Sequence, residues 1–129
     1  ALRCGQTQDP ALALVATGFG YGADRRAAQA ELLTKLLPNV RDIRRIGAAA
    51  LDLCRVAEGT VDAYFEHGIN AWDFAAGAII AREAGAVVRH PGFDKGSADG
   101  ELTWAAGADL APAFEKLLAA HRATDALRG

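Results

Sequence analysis

Cysteine is scarce in this 129-residue chain: Cys4 and Cys54 are too few for a disulfide framework, and neither sits in a Cys-x-x-Cys or Cys/His metal spacing. Reduced thiols in a cytoplasm are the expectation. A surplus of either charge is missing too, since 14 Lys and Arg stand against 16 Asp and Glu for a formal charge of -2. That balance gives no electrostatic footprint for nucleic acid or an anionic membrane, so neither is expected as a partner. No apolar run reaches the ~20 residues of a membrane helix. The longest uncharged stretch, 10–23, is shorter and broken by glycines. No basic region followed by an apolar run and a cleavage site marks export. The first residue is Ala, and a start inside a longer protein is expected. Proline is limited to four residues, and 51% hydrophobic with 23% charged residues is the composition of a packed globular chain. At this length one domain over 1–129 with its own core is expected.

What is present alternates between two periodicities. Residues 11–17 are an apolar run closed by glycines at 18, 20 and 22, the pattern of a buried strand ending in a loop. Asp24 is the expected N-cap of a helix over 25–37, with Ala28, Leu32 and Leu36 on one face and Pro38 as its stop. A strand over 40–45 follows, then a helix over 48–58 carrying Ala49, Leu53 and Val56 and closed by Gly59. Val61, Ala63 and Phe65 alternate with Asp62, Tyr64 and Glu66, which predicts a strand with one apolar and one polar face. Trp72, Ala76, Ile79 and Ile80 form a helical stripe between Asn70 and Gly85, predicting a helix over 71–84 with Trp72 as a core anchor. Strands over 86–89 and Leu102–Ala106 flank a polar loop. The last helix begins near Asp109, with Leu110, Phe114, Leu117 and Leu118 inward and Pro112 in its first turn. Such alternation specifies a layered α/β fold whose ligands are met beyond the strand ends.

Chemistry concentrates between Tyr64 and Asp73. Glu66 closes a strand and Asp73 lies in the first turn of the next helix, so a tight connection through Gly68 brings both acids to one crevice, where they suit a hard cation such as Mg2+. The alternative reading makes Asp73 the partner of Asn70 in a capping box and Glu66 a solvated strand end. His67 has no Ser or Cys nucleophile near it in sequence and reads as a loop histidine, solvated or bonded to backbone. The glycines at 18, 20 and 22 lack the third glycine of a dinucleotide fingerprint and read as a turn. Arg44 and Arg45 point to opposite faces of a strand, so one at most faces a given site. Cys54, among Leu51, Leu53 and Val56, reads as a core residue.

One segment outweighs the rest. Trp72-Asp73-Phe74-Ala75-Ala76-Gly77 and its continuation through Ile80, Glu83, Ala84 and Gly85 resembles the C-terminal signature W-D-x-A-A-G-x-x-I-x-x-E-A-G-G of the inositol monophosphatase family, departing only at Ala86. Upstream, Arg44-Arg45-Ile46-Gly47-Ala48-Ala49-Ala50-Leu51-Asp52-Leu53 is similar to the family's R-x-x-G-S/T-A-A-L-D-L segment, and residues 14–19 to the strand and loop that open this half of the fold. The resemblance covers nearly the whole chain. It implies the C-terminal half of the inositol monophosphatase and sugar phosphatase fold, a layered strand-helix sandwich.

It also implies roles. Asp73 matches a Mg2+ ligand, Glu66 an acid that hydrogen-bonds inositol hydroxyls, and Gly47, Ala48 and Ala49 a helix-leading segment that approaches the substrate through its backbone. Ala48 stands where the family has Ser or Thr, which removes one side-chain hydrogen bond. The family's G-E-E and D-P-I/L-D-G-T segments, which carry its remaining metal ligands, do not occur here; Asp9-Pro10 begins like the second but continues Ala11-Leu12. The expectation is therefore a Mg2+-dependent phosphatase of myo-inositol monophosphate, cytoplasmic, dimeric and lithium-sensitive, to which this chain adds one metal ligand and part of the pocket. The isolated chain is expected to be inactive without the N-terminal half. A related sugar, nucleotide or histidinol phosphate substrate, or a non-catalytic binding or assembly role, is the alternative.

Overall fold

Residues 2–128 are described by a computed structural model. The strands are β1 (Leu14–Thr17), β2 (Asp42–Arg44), β3 (Ala63–His67), β4 (Val87–Arg89) and β5 (Leu102–Ala106), and the helices α1 (Ala23–Leu36), α2 (Ala49–Glu58), α3 (Ala71–Glu83) and α4 (Ala111–Ala120). They build one five-stranded sheet of order β2-β1-β3-β5-β4. β1 runs parallel to β2 and β3, while β5 is antiparallel to both β3 and β4.

Successive strand residues point to opposite faces, and each face carries its own core. On one, Val15, Phe65 and Trp104 pack with Leu32 and Leu36 of α1 and with Phe114 and Leu118 of α4. On the other, Ala16, Tyr64 and Ala105 pack with Leu53 and Val56 of α2 and with Phe74 and Ala78 of α3. The result is a helix-sheet-helix sandwich, the α/β layering expected.

Because both faces are covered, β3 has no solvated side: Tyr64 is fully buried, in place of the polar face read from the alternation. The Trp72 stripe of α3 is likewise turned outward, with Trp72 80% and Ile79 62% exposed. The face that packs consists of Phe74, Gly77, Ala78 and Ala81. Small residues win here because α3 lies against α2 so closely that a Cβ on Gly77 would come within 2.8 Å of Leu53 Cβ. Cys54 is half-buried and Leu51 half-exposed, so neither belongs to the core.

Three boundaries also move. Residues Pro10–Leu12 form a 3-10 turn capped by Asp9, whose Oδ1 accepts the Ala11 N–H at 2.9 Å, and β1 starts after it. Gly22 is the N-cap of α1, with Asp24 inside the first turn. Pro38 lies in a second 3-10 turn, Leu37–Asn39, where a missing N–H is harmless.

Candidate functional site

A cleft of about 560 Å³ opens at the C-terminal ends of β1 and β3. The topology makes it: α1 leaves β1 for one face of the sheet, and α2 delivers the chain to β3 from the other, so the loops diverge between neighbouring parallel strands. Its walls are the glycine-rich loop after β1, the start of α2 and the turn between β3 and α3. Glu66, Gly47, Ala48, Ala49 and Asp73 all line it.

Glu66 is the penultimate residue of β3, and the Tyr64 hydroxyl donates to its Oε1 at 2.7 Å. Gly18 faces it across the strand ends, where an added Cβ would meet both carboxylate oxygens, Oε1 most closely. Burial pushes the Glu66 carboxyl above its ordinary pKa; the Tyr64 bond and the Arg45 charge pull it down, and Asp73 adds to the rise.

Asp73 sits in the first turn of α3, where its Oδ2 accepts the Asn70 N–H at 3.1 Å. The capping geometry is therefore present. It engages one carboxylate oxygen and leaves the other without a hydrogen bond from any described residue. Asn70 Oδ1 in turn accepts the Ser97 N–H at 2.8 Å, tying the loop before β5 to the same wall.

The start of α2 shows why small residues lead it. Gly47 adopts φ 99°, a left-handed backbone that suits glycine, and the chain then extends through Ala48 into the helix. Ala48 is the N-cap and offers no side-chain oxygen, so the first amides of α2 keep their N–H groups available on the cleft side. An uncapped helix N-terminus favours an anion. Arg45 reaches the cleft as well, its guanidinium carbon 5.7 Å from the Phe19 ring centroid. Arg44 instead pairs with Asp42 at 3.0 Å on the surface.

His67 belongs to β3 and is 2% exposed, in place of the loop position read from the sequence. Its Nε2 lies 2.6 Å from the Ala123 carbonyl, an oxygen that can only accept, so the ring donates there. Burial lowers the histidine pKa and keeps the ring neutral near pH 7. The glycine loop is held from behind, with the Gly20 N–H donating to Gln29 Oε1 at 2.9 Å.

Two buried charged residues escaped the sequence reading, Arg25 lining the cleft and Asp52 inside α2 beside it. Arg25 is 5% exposed yet has no carboxylate partner among the described residues; its Nε donates to the Leu127 carbonyl and its Nη2 to the Ser97 carbonyl, each at 2.7 Å. Asp52 is 1% exposed, and its Oδ1 has no partner among the described residues. Burial, reinforced by the Glu66 charge and opposed by Arg45, pushes the Asp52 carboxyl up to about 7. Helical spacing carried a signal for both. Asp52 stands three residues after Ala49 and one before Leu53, on the inner face of α2, and Arg25 falls on the Leu32 and Leu36 face of α1.

Among the described residues no group of three or more His, Cys, Asp or Glu is placed to hold a metal ion. No helix among them is long and apolar enough to cross a membrane.

Comparison with known proteins agrees with this fold. The Inositol monophosphatase family matches residues 2–126. The inositol-1-monophosphatase of Mycobacterium leprae is 61% identical over 90 residues, covering 70% of this chain and 31% of that protein. The Nus factor SuhB of Pasteurella multocida is 47% identical over 88 residues, covering 67% of this chain and 33% of that protein. Among solved structures, Mycobacterium tuberculosis SuhB aligns with a TM-score of 0.86 at 46% identity, covering 97% of this chain and 48% of that one. An inositol monophosphatase from Anabaena aligns with a TM-score of 0.75 at 29% identity, covering 92% and 49%. The chain thus spans about a third of the length of the curated relatives it matches and about half that of the solved ones.

Proposed function

The chain belongs to the inositol monophosphatase family, and from that premise we propose that it is the C-terminal domain of a Mg2+-dependent phosphatase whose substrate is myo-inositol monophosphate. The observation that carries the reading is convergence: Glu66, Asp73 and the uncapped start of α2 meet in one cleft at the ends of two parallel strands. The division of labour follows from their chemistry. The amides of Ala49 and Ala50, at the positive end of α2, suit the phosphate. Glu66, braced by Tyr64, accepts hydrogen bonds from ring hydroxyls.

Asp73 fits a hard cation, having one carboxylate oxygen held by Asn70 and the other uncommitted. It fits as one ligand only, because Mg2+ takes about six oxygens and no full donor set occurs among the described residues. When bound, Mg2+ would lower the pKa of a coordinated water and offset charge on the phosphate. The other donors belong, in this reading, to an N-terminal half. Cytoplasmic location, dimerisation and lithium inhibition are parts of the same proposal.

Replacing Asp73 by Asn in the complete enzyme tests it, since Asn keeps shape and capping capacity and loses only charge. Turnover should fall by at least ~10²-fold with little change in melting temperature. Unchanged turnover with ~1 kcal/mol of lost stability would leave Asp73 a cap and nothing more.

A second reading is favoured by the likeness to a protein named as a Nus factor: a binding or assembly role without catalysis. Mg2+-dependent hydrolysis of inositol 1-phosphate by the complete protein, together with none by the 129-residue chain alone, supports the first reading over the second.

A further inference from the structure

Tyr64 is the largest fully buried side chain, at the centre of the core beneath α2 and α3. It belongs to the buried apolar cluster that includes Ala16, Leu53, Phe74 and Ala105, none of which carries a hydrogen-bonding side chain. Packing alone in such a site does not call for a hydroxyl. A buried hydroxyl needs a partner, and among the described residues this one has a single side-chain partner, Glu66 Oε1 at 2.7 Å. The two residues are two apart on β3 and so share a face, which lays the ring beside the carboxylate and lets the hydroxyl reach it from the sheet side. Gly18 lies against the same carboxylate: an added Cβ would meet Oε1 most closely and would lie 2.6 Å from both Oε2 and Cδ. Glu66 is thereby held by a buried donor and given its room by a residue without a side chain.

We propose that Tyr64 is a positioning residue for substrate recognition: its buried hydroxyl fixes the Glu66 carboxylate at the rim of the cleft, so that one oxygen is spent on the protein and the other is presented to a ligand hydroxyl. The inference rests on the reading of Glu66 as the hydroxyl-binding acid. Tyr64 touches no substrate, and its effect passes entirely through Glu66. The ligand class it serves is a phosphate ester that carries a hydroxyl near the phosphate-bearing carbon, as opposed to a simple aryl phosphate.

The experiment compares Tyr64→Phe, Glu66→Gln and the double variant in the complete enzyme, with inositol 1-phosphate and phenyl phosphate as substrates. Tyr64→Phe should lower kcat/KM for inositol 1-phosphate roughly tenfold, with a loss at least threefold smaller for phenyl phosphate. In the Glu66→Gln background the tyrosine change should add nothing, as expected for groups acting in series. Gly18→Ala, which crowds the same carboxylate without altering Tyr64, should reproduce the substrate-selective loss and serves as the test if Tyr64→Phe does not fold. Equal losses on both substrates would make Tyr64 a core residue and overturn the proposal, as would full additivity with Glu66→Gln. If Glu66→Gln itself discriminates while Tyr64→Phe and Gly18→Ala do not, the proposal falls and the reading of Glu66 stands. If Glu66→Gln fails to discriminate, both fall.

Discussion

Replacing Asp52 by Asn should flatten the dependence of this chain's stability on pH. The Asp52 carboxyl is 1% exposed, and burial, aided by the Glu66 charge, moves it from 3.8 to about 7. The folded state therefore holds the proton more tightly than the unfolded chain does. For such a group the stabilising contribution is complete below the unfolded value and is lost as pH rises toward the folded one. At about 1.4 kcal/mol per pH unit the gap sets a ceiling of ~4 kcal/mol, of which roughly 2 to 3 kcal/mol should disappear between pH 5 and pH 8. Asn keeps the shape and cannot ionise, so the variant escapes that loss. Urea unfolding of parent and variant at pH 5, 6, 7 and 8 reads the difference directly, with all other titrating groups common to both. The curves should diverge as pH rises, the variant becoming the more stable. Parallel curves, or a variant weaker by the same amount at every pH, would show that Asp52 is ionised and satisfied in the folded chain and would refute the reasoning.

Gly77→Ala should destabilise by about 1 to 3 kcal/mol although alanine is the better helix former, because the new methyl meets Leu53 Cβ and Cδ1 at 2.8 and 2.9 Å; a raised melting temperature would show that α2 and α3 can part at little cost. Arg25→Met should remove about 2 to 4 kcal/mol by stripping the Ser97 and Leu127 carbonyls of their donor, and limited proteolysis should then cut the last residues first; an unchanged digestion pattern would count against it.

The layering and the place of the cleft were legible because they depend on periodicity and punctuation. Glycines after β1 and a two-residue alternation followed by a helix start mark strand ends whatever the packing beyond them. What periodicity could not supply was which face of α3 packs. Trp72, Ile79 and Ile80 form the more hydrophobic stripe, yet the fit against α2 is decided by close approach, and Gly77, Ala78 and Ala81 permit it. Tyr64 was misplaced for a related reason: alternation assumes one wet face, and β3 lies between two helix layers. Asp52 and Arg25 were hidden by their charge, since a sequence reader assigns such residues to the surface although their spacing put them inside. At Asp73 the capping geometry is present, and the sequence alone could not say whether a cap excludes a ligand; with one oxygen committed and one free, it does not.

The contacts of His67 with Ala123 and of Arg25 with Leu127 have a consequence for the order in which the chain can be completed. Both side chains are interred, yet their partners follow them in sequence by 56 and 102 residues. During synthesis an imidazole and a guanidinium must wait, hydrated, while the strands around them form. Burial of either before its acceptor arrives would strand a polar group in the interior. That wall of the cleft therefore closes only when residues 123–127 fold back over side chains made long before them.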